Sequence, residues 1–169
     1  MVRFLVRLFL APLAIAILDV IILVPLVIAI LEVAIGLLEG QEFHEPMDII
    51  EGMGVILIGW GVALEERGSL RDIFGLKGGA DEPWQVLVDH VCHGSGLGLL
   101  IFGLFAEMCV EAVRLPNHII NTDKIDALVL VGSLGFLVIA IYVMARHIIS
   151  MVRLLLLGRG AAPHHPASH

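Results

Sequence analysis

The sequence predicts an all-α integral membrane protein, a four-helix bundle with antiparallel neighbours and both termini cytoplasmic. Three observations carry that expectation. Of the 169 residues 59% are hydrophobic and 16% charged, and mean hydropathy is +0.98. Soluble domains average roughly 45–50% apolar and about 25% charged, and a single core of this size cannot hide the surplus from water. Four apolar stretches reach the ~20 residues that a bilayer crossing needs, and lysine and arginine are distributed unevenly between the connections.

The first span runs over about residues 9–38. It follows a positive start, Arg3 and Arg7, yet its apolar run is far longer than the ~7–15 residues of a signal peptide, so it reads as a retained helix. The second covers about 48–64, the third about 86–113 and the fourth about 126–157. Residues 1–157 then form one transmembrane domain, and 158–169 a flexible tail carrying His164, His165 and His169. The connection near Pro116-Asn117 has turn chemistry. The stretch from Glu65 to Leu76 is mildly amphipathic. It is expected to set Phe74 and Leu76 against the headgroups and Arg67 and Arg71 against lipid phosphates.

With both ends cytoplasmic, that side holds Arg3, Arg7, Arg67, Arg71, Lys77, Arg146, Arg153 and Arg159, against Arg114 and Lys124 outside. This is a strong positive-inside bias. It suits the cytoplasmic or inner membrane of a prokaryote.

Composition also excludes. A net charge of −7 without a basic cluster speaks against nucleic acid. Cys92 and Cys109 sit in one apolar helix and are too far apart to pair, so no disulfide scaffold is expected. No nucleophile triad, phosphate loop or glycine fingerprint lies in a strand–helix context, so soluble-type enzyme chemistry is not expected.

The unusual feature is ionisable side chains inside the spans, where a charge costs about 2.5–3.5 kcal/mol on insertion scales. By helical rise they sort into two layers. Glu32, Glu51 and Glu107 lie ~9–11 Å from their span centres on the outer side, with Glu111 further out. Asp19, His93, Glu65 and His147 lie ~9–14 Å from the centres on the cytoplasmic side, with His90 one turn beyond. His93, Glu107 and Glu111 fall within ~40° of one another on the third helix. Glycines crowd spans two to four, and Gly94 to Gly98 has GxxxG spacing.

Carboxylates that meet in a membrane must share protons, bind a cation or find a base. The leading expectation is therefore proton- or cation-coupled transport or sensing. Glu32, Glu51 and Glu107 would form an outer station, with Glu111 beside it. Asp19, His93 and Glu65 would form an inner one, and a bound cation is the cofactor that this reading implies. The alternative is a non-catalytic accessory or assembly subunit whose carboxylates pair with a base of a larger membrane complex or of a second copy. A transporter keeps its carboxylates turned inward; a subunit leaves some facing lipid. Haem b, or a metal, held by His90, His93 or His147 is a further reading. The Glu-x-x-His motif of a carboxylate di-metal centre is absent.

Overall fold

The computed structural model describes residues 2–39, 44–76, 83–114 and 123–160. Lys77, the Pro116-Asn117 turn and the histidine tail lie outside the described residues. The described chain is helical: α1 Val2–Phe9, α2 Pro12–Glu39, α3 His44–Glu65, α4 Arg67–Ile73, α5 Pro83–Arg114 and α6 Asp123–Gly160. Four of these are long and apolar enough to cross a membrane, over Pro12–Glu39, Pro46–Glu65, Trp84–Ala112 and Leu128–Leu156.

The first apolar run is two helices, not one. Pro12 opens α2 at the first helical position, where its missing N–H costs nothing, and the chain bends at Leu10 and Ala11. Pro25 lies inside α2 without ending it. The amphipathic stretch after α3 folds as the short helix α4. It stops at Gly75, whose φ of 62° is open to glycine without strain. There Gly75 N–H donates to the Asp72 carbonyl and Leu76 N–H to the Arg71 carbonyl, closing the helix end.

The core follows a seven-residue rhythm. Pro12, Asp19, Leu26 and Val33 are buried along one stripe of α2. Ile50, Leu57 and Leu64 do the same on α3, and Cys92, Leu99 and Ala106 on α5. On α6 one stripe is Leu130, Leu137, Met144 and Met151, and a second is Ser133, Ala140 and His147. A period of seven keeps one seam turned inward while helices coil about each other. The remaining faces are apolar and exposed, as lipid contact requires; only 22% of the most apolar window of α2 is buried inside the protein.

Helices α3 and α5 touch through glycine. A Cβ on Gly61 would lie 2.7 Å from the Gly96 carbonyl oxygen, and one on Gly96 would lie 2.5 Å from the Gly61 oxygen and the Glu65 nitrogen. Gly54 and Gly103 repeat the contact seven residues on. Gly94 faces open space, so the close seam runs through Gly96 and Gly103 instead of the Gly94–Gly98 pair. Helices α5 and α6 pack through larger side chains, with Phe136 stacked on Phe102 and Phe105 at centroid distances of 6.5 and 5.5 Å.

Candidate functional site

Asp19 is the polar member of the buried α2 stripe, and His147 ends the polar stripe of α6. The seven-residue rhythm therefore delivers a carboxylate and an imidazole to the same interior seam. Both side chains have no exposed surface, and His147 Nδ1 lies 2.9 Å from Asp19 Oδ2. That is ion-pair distance, but the atoms are off the line of a directed hydrogen bond. The other carboxylate oxygen, Oδ1, accepts a hydrogen bond of 2.7 Å from Trp60 Nε1 on α3. Three helices thus converge on one buried carboxylate.

His147 Nε2 is buried and has no hydrogen-bond partner. The two ring nitrogens flank Cε1 and point in different directions, so the approach of Nδ1 to Asp19 leaves Nε2 for a different partner. His147 also lines a groove of about 400 Å³ between α5 and α6, shared with His90, Ser95, Tyr142, Arg146 and Ser150.

A second ionic cluster lies at the same end of the bundle. Arg67 is 1% exposed and Arg71 7% exposed. Arg67 Nη1 donates to Asp89 Oδ1, and Arg71 Nη1 to Asp89 Oδ2 at 2.7 Å. Arg67 also donates twice to the Leu10 carbonyl, at 3.1 and 2.8 Å, and once to Gln85 Oε1 at 3.2 Å. The two arginines expected to face lipid phosphates therefore turn inward, because Asp89 and the carbonyl freed at the α1–α2 bend supply buried acceptors. Burial pushes the pKa of Arg67 down to about 10, and the nearby Arg71 guanidinium lowers it too. It remains charged at neutral pH.

At the other end Arg114 gathers carboxylates. It donates to Glu51 Oε2 and lies 3.6 Å from Asp48 and 4.0 Å from Glu111. Glu51 thus meets a base, with Glu111 at the same cation. Glu107 is half-buried on α5 against Gly54. Glu32 is exposed, one position from the buried Val33. Toward the other end His93 Nδ1 lies 3.3 Å from Glu65 Oε1, and His90 is exposed. Asp19 pairs with His147 instead of joining His93 and Glu65. Among the described residues no three His, Cys, Asp or Glu side chains gather in a way that could hold a metal ion.

Sequence reasoning named Asp19 and His147 separately and missed Trp60, Arg67 and Asp89 as buried polar partners. A signal for the first two existed: Asp19 and His147 both fall on heptad stripes with buried apolar residues. No protein family, curated protein or solved structure matches this chain.

Proposed function

We propose that the chain is a multi-pass membrane protein that takes up and releases protons at Asp19 and His147, in the service of proton-coupled transport or sensing. The observation that carries this is the carboxylate–imidazole contact of 2.9 Å between two side chains without exposed surface. A net charge in such surroundings is expensive, so the pair favours the neutral sum, with one exchangeable proton between the two groups. Gaining or losing a proton charges the site. That change is felt by α2, α3 and α6 together, because Trp60 binds the same carboxylate. The groove beside His147 gives the proton a way in and out.

The cation branch of the reading has less support. Arg114 already neutralises Glu51 and stands beside Glu111, and among the described residues no three His, Cys, Asp or Glu side chains gather in a way that could hold a metal ion. The gathering of Arg67, Arg71 and Asp89 at one end and Arg114 at the other fits the positive-inside orientation with cytoplasmic termini. The facing of Gly54 with Gly103 and of Gly61 with Gly96 supports antiparallel α3 and α5.

The test uses Trp60 as reporter. In a Trp84→Phe background the emission of Trp60 should titrate with pH, and Asp19→Asn should abolish the titration. Vesicles carrying a pH gradient then separate the two roles: flux above protein-free vesicles means transport, and titration without flux means sensing. Trp60 emission that is the same in wild type and in Asp19→Asn at every pH at which the protein stays folded would remove the proposal.

One observation favours a second reading. Glu32 is exposed on an otherwise apolar, lipid-facing stretch of α2, which suits pairing with a base on another membrane helix. The chain would then be a subunit of a larger or homo-oligomeric assembly. Measured particle mass in detergent, with and without Glu32→Gln, tests this: a mass that is monomeric and unaffected by the substitution speaks against it.

A further inference from the structure

The groove between α5 and α6 is lined by Arg146, His147, His90, Ser95, Ser150 and Tyr142. Its polar groups are donors in excess. Ser150 Oγ–H is already spent on the Arg146 carbonyl at 2.9 Å. No described residue partners the Arg146 guanidinium. Behind them His147 is 1% exposed and its Nε2 has no partner.

The protonation arithmetic of the Asp19–His147 pair defines what Nε2 offers. If the pair is neutral as a whole, its shared proton rests on Nδ1 or on Oδ2. In both arrangements Nε2 keeps its own hydrogen, so the ring that lines the groove carries an unpartnered N–H donor. A buried N–H without an acceptor is unfavourable, so an acceptor from outside the protein is favoured there. An acceptor that also carries negative charge would satisfy Arg146, which binds phosphate in a two-pronged fashion. The open side of the groove lies on the exposed, apolar surface of the bundle, and its walls turn from polar at His90 and Arg146 to apolar at Val91 and Val143.

We infer that the α5–α6 groove is a binding site for a phosphate group, the headgroup of an anionic lipid or a free phosphate, held by Arg146 and by the Nε2–H of His147. The inference needs only the neutral Asp19–His147 pair and not its titration, so it stands apart from the proton proposal. Ser95, Tyr142 and His90 supply further donors around the phosphate oxygens. Binding would also fix the His147 ring from its second side.

The full-length protein, stripped of lipid in detergent, is offered phosphatidylglycerol, phosphatidylcholine or inorganic phosphate. Native mass spectrometry reads bound lipid, and the imidazole ¹⁵N resonances read His147. Wild type should retain phosphatidylglycerol over phosphatidylcholine, with a shift of the His147 Nε2 resonance. Arg146→Gln should weaken retention roughly tenfold, the worth of one charged hydrogen-bonding contact. Arg153→Gln, an exposed arginine two turns along α6 and outside the groove, should stay within about twofold by the same scale. A His147 shift produced by inorganic phosphate alone would support the site and assign it to a soluble ligand. Equal retention of both lipids together with an unmoved His147 resonance in all three additions would overturn the inference. Because Arg146 is exposed, its replacement does not threaten folding.

Discussion

Asp19 is a fully buried carboxylate on which side chains of α3 and α6 converge. A carboxylate in the interior is tolerated because His147 and Trp60 approach its two oxygens. Removing one partner leaves the others uncompensated, which is worse than removing the group itself. His147→Phe should therefore destabilise by about 3–5 kcal/mol, and the double variant Asp19→Leu with His147→Phe by clearly less. Thermal unfolding in detergent across the double-mutant cycle reads the difference. Trp60→Phe removes one N–H donor to a buried acceptor and should cost about 1–3 kcal/mol.

The arginine cluster makes a contrasting case. Asp89 holds two buried guanidiniums, so Asp89→Leu sets like charges against each other and should cost more than Arg67→Met, by about 2 kcal/mol on the scale for broken buried pairs. The pH dependence has a definite sign. The folded state holds the Arg67 proton less tightly than the unfolded chain, its pKa being lowered to about 10 by burial. The resulting penalty is complete below the folded value and is relieved only as pH rises through it. Arg67 should thus leave stability flat across neutral pH. A comparison of wild type and Arg67→Met from pH 6 to 8 would reveal a slope if this were wrong. Arg114 differs again: it is half-exposed among Asp48, Glu51 and Glu111. Its replacement by Gln should cost less than about 1 kcal/mol and fade with salt.

Among the elements, α3 and α5 are joined by a seam that admits no side chain at Gly61 and Gly96. A methyl group there meets backbone at 2.5–2.7 Å, so the helices must separate. Gly96→Ala should destabilise by about 1–3 kcal/mol, the usual cost of overpacking. Gly94→Ala, two residues away and facing open space, should be neutral or gain up to about 1 kcal/mol from helix propensity. Parallel melting curves of the two variants check both.

The same seam explains what could be read from the sequence. Hydropathy locates helices that lie in lipid, since lipid demands apolar length. It does not say which face is inside, because lipid and core are equally apolar. The placement of Glu32 is the clearest example. Its depth suggests an inward station with Glu51 and Glu107, yet it lies thirteen residues from Asp19, or about 140° around the helix. Following Asp19 in steps of seven leads to Leu26 and Val33, the stripe that is buried. Arg67 and Arg71 were legible as basic residues of an amphipathic turn. Their inward direction depends on Asp89 and on the Leu10 carbonyl, which local periodicity does not contain.

At the scale of the whole molecule, the polar contacts sit toward the two ends and the middle is filled by Leu, Met and Phe. The partners of these groups are not the ones that helical rise alone suggests. Carboxylates pair with bases, Glu51 with Arg114 and Asp89 with Arg67 and Arg71, and are not pooled in one station. Glu32 stands outside this pairing. If a partner helix supplies its base, Glu32→Leu should leave the melting of the isolated chain within about 0.5 kcal/mol, as for a surface change, while shifting particle mass in mild detergent.

Asp19 enters the membrane with the first span, before either of its companions exists. Trp60 follows 41 residues later, and His147 comes only with the last helix. During synthesis the nascent chain therefore holds a carboxyl group without its imidazole partner until α6 emerges. Chains that end before α6 should be recognised as immature and degraded, and Asp19→Leu should rescue them.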